Sequence, residues 1–167
     1  FSITDARDKV VDFSGPYYTA PMAVLVRGSD GLAADMDTLK GLKWGVVAST
    51  TALPVIIKEI APESNPLIYD DNVHVVEAMK AGQIDAALFD LPTALYLSAV
   101  VLEGGQVLGQ CDADETSNSD HFGALMTEGN PLKECVDAAL QGRKSGGSLA
   151  AIEAQWLQET TGVPLIR

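Results

Sequence analysis

The stretch SITDARDKVVDFSGPYY, residues 2–18, places an arginine, a strand-like run and a Gly-Pro turn close together at the start of the chain. The β-branched and aromatic residues of 10–27 predict extended segments broken by turns. Arg7 could hold a carboxylate through two parallel hydrogen bonds. It could instead be a surface side chain that pairs with Asp5 or Asp12, and spacing alone favours this second interpretation.

The composition disfavours several classes of function. The chain has 167 residues, enough for one ordinary domain, and its net charge of −12 disfavours nucleic acid or an anionic membrane surface as a partner. No apolar run is long enough to span a bilayer.

Cys111 and Cys135 lack the spacing of a zinc site. Cys135 falls on an apolar helical stripe, which favours a buried free thiol over a disulfide. Neither a metal nor another cofactor is predicted.

Strand and helix patterns alternate from Gly31 to about Glu128, after a turn signal at residues 28–31. Predicted strands cover 44–48, 67–69, 84–89, 107–109 and 121–126. Predicted helices cover 51–60, 72–81 and 92–102, and Asn72 is the expected cap of the second. This alternation indicates βαβ units and a mainly parallel sheet, and therefore an α/β fold.

The ends of the chain have a different character. Asn130-Pro131 starts one amphipathic helix, and Ser148 starts a second after a break at Gly146-Gly147. These helices and residues 1–26 are expected to form part of another layer.

The segment Ser49-Thr50-Thr51 precedes a predicted helix and is a candidate anion site. Pro54 is tolerated in the first turn of a helix, which places Thr51 at the cap. Unpaired amides and hydroxyls at a helix start bind carboxylates or phosphates. Ser and Thr are also common capping residues without a ligand, and spacing alone favours that interpretation.

Asp90 follows the predicted strand IDAALF, residues 84–89. Ligands of open α/β sheets bind outside the carboxyl ends of the strands, so Asp90 is placed to meet an ammonium group. It is an equally good cap for the helix that contains Pro92, and the two roles are compatible.

No catalytic set can be assembled from the sequence. The chain lacks a G-x-S-x-G nucleophile elbow, a phosphate-binding P-loop and a G-x-G-x-x-G dinucleotide motif. His74 and His121 have no evident nucleophile or companion ligand and are interpreted as structural.

Five phrases in order resemble the type 2 periplasmic solute-binding proteins of the amino-acid-binding branch, known as bacterial extracellular solute-binding protein family 3. They are SITDARDKVVDFSGPYY, DTLKG, WGVVASTT, GQIDAALFD and HFGALMTEGNPL, and a terminal helix with Trp156-Leu157 follows. The resemblance covers nearly the whole chain. It implies an α/β fold of two lobes, with mixed β-sheets flanked by helices and a two-strand hinge.

The same resemblance implies roles for individual residues. Ser2 and Arg7 would hold the α-carboxylate of an amino acid from lobe 1, and Ser49, Thr50 and Thr51 would hold it from lobe 2. Asp90 would bind the α-ammonium group. Family members often have Gly at the position of Ser49, and Lys or Arg at the position of Glu128.

The resemblance further implies a binding protein without catalysis, which delivers a polar amino acid to the permease of a membrane ABC transporter. It would work in the periplasm or outside the cell after removal of a signal peptide, and a lipid anchor on the precursor is compatible with this. A dehydratase-like enzyme on the same fold and the sensing module of a membrane receptor are the alternatives.

The lobes are expected as 1–26 for a fragment of lobe 1 and the first hinge strand, 27–127 for lobe 2, and 128–167 for the second hinge strand and the last helices of lobe 1. Phe1 then lies inside a motif, and about 70 preceding residues of lobe 1 are expected, from the usual size of such a lobe. Without them, the helices of 131–157 should expose apolar surface, which favours dimerisation or strand exchange.

Overall fold

A computed structural model describes residues 1–28, 31–111, 120–158 and 162–166. Its strands are β1 (Asp12–Phe13), β2 (Tyr18–Ala20), β3 (Met22–Arg27), β4 (Trp44–Val47), β5 (Leu67–Tyr69), β6 (Ala86–Asp90), β7 (Gly105–Gln110), β8 (Asp120–Phe122) and β9 (Leu125–Met126). Its helices are α1 (Met36–Lys40), α2 (Ala52–Val55), α3 (Asn72–Lys80), α4 (Leu91–Tyr96), α5 (Leu132–Ser145) and α6 (Ser148–Glu153). Helices α2, α4 and α6 continue as π-helical turns, at Ile56–Ile60, Leu97–Val101 and Ala154–Gln158.

The chain divides into two compact units. The first unit is Phe1–Ala20 with Asp120–Gly162, and the second unit is Pro21–Ser119 with Val163–Arg167. These bounds differ from the predicted lobe limits because β3 pairs inside the second unit, and because Leu165 forms a parallel bridge with Gln110. The lobe limits at 26/27 and 127/128 stay a prediction.

The second unit contains a sheet whose described strands run in the order β5-β4-β6-β3-β7. Strand β4 is parallel to β5 and to β6, whereas β3 is antiparallel to β6 and to β7. The sheet is therefore mixed, and the expectation of a mainly parallel sheet was wrong. The apolar run of β3, buried from Met22 to Val26, accounts for its central position with both faces covered. Its direction, antiparallel to both β6 and β7, is what makes the sheet mixed.

Side chains alternate across β3 and build a core on each face of the sheet. Met22, Val24 and Val26 join α1, α2 and Trp44 in one cluster. Ala23 and Leu25 join α3 and α4 in the other. The period of two along a strand thus places helices on both faces of this unit.

An aspartate begins each of three helices of the described chain. Asp35, Asp71 and Asp90 accept the amide hydrogens of Thr38, His74 and Thr93, at 2.8, 2.9 and 2.9 Å. Asp71, rather than the expected Asn72, is the cap of α3, because its side chain makes that bond.

The first unit contains two short antiparallel pairs, β1 with β9 and β2 with β8. The predicted strand 121–126 is thus two strands that pair with different partners. Pro131, rather than the expected Asn130, is the N-cap residue of α5, which begins one residue later than predicted. Asn130 Oδ1 still accepts the amide hydrogen of Leu132 at 3.0 Å.

The helices of the first unit expose apolar side chains. Helices α5 and α6 contain no buried residue, and Leu132, Ile152 and Trp156 are exposed. Cys135 lies on the same helix face and is exposed, so the expected burial of its thiol was wrong. Both cysteines are free thiols in this structure.

Candidate functional site

Ser2 and Arg7 lie together in the first unit. The Arg7 Nη1 atom donates to the Ser2 carbonyl oxygen at 3.0 Å, and the guanidinium carbon lies 4.7 Å from the centre of the Phe1 ring. The Ser2 hydroxyl donates to Asp120 Oδ2 at 2.6 Å. These contacts hold the Arg7 guanidinium beside Ser2, while the single hydroxyl hydrogen of Ser2 goes to Asp120. A guanidinium is the side-chain group that pairs with a carboxylate through two hydrogen bonds.

Ser49, Thr50 and Thr51 form the turn between β4 and α2 in the second unit. Ser49 has a positive φ of 60°, and the Thr50 hydroxyl donates to the Val47 carbonyl at 2.8 Å. Thr51 is the N-cap residue, as predicted, and Pro54 lies in the first turn. The first amides of a helix have no acceptor within it, which is why helix starts of this kind can bind anions.

Asp90 is both the last residue of β6 and the cap of α4. Its Oδ1 atom accepts the Thr93 amide hydrogen at 2.9 Å, and its Oδ2 atom accepts the Thr93 hydroxyl hydrogen at 2.9 Å. The capping role expected from the sequence is thus observed. Each carboxylate oxygen has a further lone pair, so the cap leaves capacity to accept from an ammonium group.

The second unit brings these two features to one edge of its sheet. Strands β4 and β6 are adjacent and parallel, with Trp44 opposite Ala86 and Gly45 opposite Ala87. Their carboxyl ends therefore meet at the same edge, where the Ser49–Thr51 turn follows β4 and Asp90 ends β6. The helix-start turn and the Asp90 carboxylate thus belong to neighbouring strands at one edge of the sheet.

Two residues that bond to predicted site residues, one in each unit, were not among the sequence-predicted candidates. Thr93 donates hydrogen bonds to both carboxylate oxygens of Asp90, and Asp120 accepts the hydrogen bond of the Ser2 hydroxyl. The Asp-x-x-Thr spacing of a helix start was a usable signal for Thr93. The contact of Ser2 with Asp120 spans 118 residues, and nothing local in the sequence points to it.

A groove of about 600 Å³ lies between α3 and α4 in the second unit. It is lined mainly by apolar side chains, including Val73, Val76, Tyr96 and Leu97. Thr93, which donates both hydrogen bonds to Asp90, is one of the residues that line this groove.

Metal-type clusters and membrane-spanning helices are both absent from the described ranges. No group of three or more His, Cys, Asp or Glu residues there could hold a metal ion. No helix of the described chain is long and apolar enough to cross a membrane.

The sequence matches the bacterial extracellular solute-binding proteins, family 3, over residues 1–159, and the chain belongs to this family. It is 30% identical over 159 residues to an ABC transporter glutamine-binding protein of Bacillus subtilis, a match that covers 95% of this chain and 56% of that protein. It is 29% identical over 157 residues to an L-cystine-binding protein of Escherichia coli K12, covering 93% of this chain and 57% of the other. The chain thus spans little more than half the length of these relatives.

The structure is similar to that of an ancestral arginine-binding protein bound to glutamine. The TM-score is 0.71 at 29% identity, and the match covers 95% of this chain and 69% of the other. The fold is therefore that of the type 2 periplasmic amino-acid-binding proteins, as the sequence predicted.

Proposed function

We propose that this protein is an extracytoplasmic solute-binding protein that captures a polar amino acid between two lobes and delivers it to the permease of an ABC transporter. The observation that carries the proposal is the shared edge of β4 and β6, where a helix-start turn and the Asp90 carboxylate lie on adjacent strands. Family membership over residues 1–159 supports the same function.

The proposed roles follow the charges. Arg7, with Ser2, binds the α-carboxylate from the first unit, and the Ser49-Thr50-Thr51 turn binds it from the second. Asp90 accepts hydrogen bonds from the α-ammonium group. Closure of the two lobes, with limits near 26/27 and 127/128, is the signal that the transporter reads.

The location and the lack of catalysis belong to the same proposal. The protein works in the periplasm or outside the cell, and a lipid anchor on the precursor would hold it at the membrane. It binds its ligand without converting it. When residues 1–167 are produced alone, two copies associate as a dimer or by strand exchange, and this association buries the exposed apolar side chains of α5 and α6.

Isothermal titration of the full gene product, and of residues 1–167, tests the binding function. L-glutamine, L-arginine, L-glutamate and L-cystine are the first probes, followed by the remaining amino acids. Tight binding of one by the wild type, with a loss of about tenfold or more in Asp90→Asn and Arg7→Lys, is the expected result. Asp85→Asn, which changes the carboxylate at the opposite end of β6 that is bonded to the Lys43 amide, is the matched control and should bind normally.

Turnover of arogenate and prephenate is measured on the same samples. Product formation above the uncatalysed rate would contradict a pure binding role. Failure of the full gene product to bind any amino acid would contradict the proposed ligand class.

A further inference from the structure

We propose that Thr93 is a positioning residue for the ligand's ammonium group, acting through Asp90; this rests on the proposed function. Thr93 donates twice to the Asp90 carboxylate, from its amide to Oδ1 and from its hydroxyl to Oδ2, each at 2.9 Å. Two donors on one side of a carboxylate fix both its position and the plane of its oxygens. The remaining lone pairs then point in a defined direction.

The backbone on either side of Asp90 is also held. Asp90 lies opposite Met22 in the ladder of β6 and β3, and the Leu91 amide donates to the Pro21 carbonyl at 2.9 Å. The χ angles of Asp90 are therefore its main remaining freedom, and the Thr93 hydroxyl restrains them. Because fixing a polar group before the ligand arrives lowers the ordering cost of binding, this restraint strengthens the bond to a cation.

A second helix of the same unit offers an internal comparison. At α1, Asp35 accepts the Thr38 amide hydrogen at 2.8 Å, and the Thr38 side chain also bonds to this carboxylate. The two helix starts share an Asp-x-x-Thr spacing and a hydroxyl-to-carboxylate contact. Only Asp90 lies at the shared carboxyl edge of β4 and β6.

The test compares amino acids with analogues that lack only the α-ammonium group. Glutaramate replaces L-glutamine, and guanidinovalerate replaces L-arginine. Thr93→Val removes the hydroxyl but keeps the amide and the shape, and Thr93→Ser restores the hydroxyl. Thr38→Val removes the equivalent hydroxyl at α1. Affinities of the full gene product are measured by titration, with direct competition for weak analogues, and melting temperatures are recorded for every variant.

Thr93→Val should weaken binding of the amino acid about tenfold and binding of the deamino analogue less than about twofold. Thr93→Ser should bind both within about threefold of the wild type, and Thr38→Val should lower the melting temperature without changing affinity. Equal weakening of both ligands, unchanged affinity in Thr93→Val, or failure of Thr93→Ser to rescue would each overturn the positioning role. A wild type that binds none of the amino acids would overturn the proposed function itself, and the role of Thr93 with it.

Discussion

The Ser2 hydroxyl donates a hydrogen bond of 2.6 Å to Asp120 Oδ2, which ties the start of the chain to strand β8 across 118 residues. Two backbone bonds accompany it, from the Ile3 amide to His121 at 2.8 Å and from the Gly123 amide to Phe1 at 2.9 Å. The segment that carries Ser2 and Arg7 therefore depends on β8 for its position.

Asp120→Ala should loosen this segment. Loss of a partly buried hydrogen bond to a charged group costs about 1 kcal/mol, so local opening should become about fivefold more frequent. Hydrogen exchange of the Ile3 and Gly123 amides measures it. Asp8→Ala removes an exposed carboxylate nearby and should leave both rates unchanged. Unchanged exchange in Asp120→Ala would refute the dependence on β8.

Ala61→Gly should stabilise the protein by about 0.5–1 kcal/mol, because an L-residue in the left-handed region is strained. Glycine has greater conformational freedom in the unfolded chain, and this opposing effect offsets only part of the stabilisation. Ala61 has a φ of 48° and ends the helical stretch that includes α2. Ser49→Gly tests the same relief at a φ of 60°, in the candidate turn. Urea unfolding gives both values, and ligand titration should change only in Ser49→Gly. Destabilisation by Ala61→Gly would contradict the strain argument.

The two thiols should react at very different rates. Burial raises the pKa of Cys111 to about 11, with a smaller effect from Glu59, whereas Cys135 is exposed. Since the thiolate is the reactive form, Cys111 should label slowly at neutral pH and faster as the pH approaches 11. Labelling with iodoacetamide should show one fast phase, which Cys135→Ser removes and Cys111→Ser retains.

This experiment also addresses the disulfide. If both sites in wild-type protein label only after reduction, the thiols are paired in solution and the prediction fails.

Stability should fall in acid partly through Asp137. Its carboxylate accepts the Gly15 amide hydrogen at 2.7 Å, and this bond, followed by the contact with Lys133, lowers the pKa of Asp137 below its ordinary 3.8 despite some desolvation. A carboxyl whose pKa is lowered on folding adds stability above its unfolded pKa and loses it as the pH falls through the folded pKa.

Asp137→Asn should therefore be less stable than the wild type near neutral pH, and its stability should fall less steeply below about pH 4. Denaturant unfolding across this range measures the two slopes. Glu134→Gln makes the same charge change at an exposed position of α5 and should keep the wild-type slope.

Residues 1–167 produced alone should self-associate through α5 and α6. Leu132 and Ile152 are 60% and 51% exposed, and apolar side chains on one helical pair favour contact with a second copy. Light scattering after gel filtration should show a concentration-dependent dimer. Leu132→Lys with Ile152→Lys should give a monomer, and a wild-type monomer without dye binding would refute the prediction.

The sequence by itself determined the alternation of strands and helices, the capping position of Thr51, and Asp90 as a helix start at the end of a strand. These features depend on contacts three or four residues apart, such as that of Asp90 with Thr93, so a local pattern contains them. The five phrases that resemble the family predicted the fold as well. Together they cover nearly the whole chain, whereas a single segment indicates only its own secondary structure.

The tertiary structure alone decided how distant segments pair. It placed β3 antiparallel between β6 and β7, divided 121–126 between two partners, exposed Cys135, and joined Ser2 to Asp120. A strand pattern specifies which side chains share a face but leaves its neighbour and direction open. The neighbour and the direction of a strand are fixed only when the whole unit buries both faces of its sheet. The pattern of one segment therefore cannot predict them.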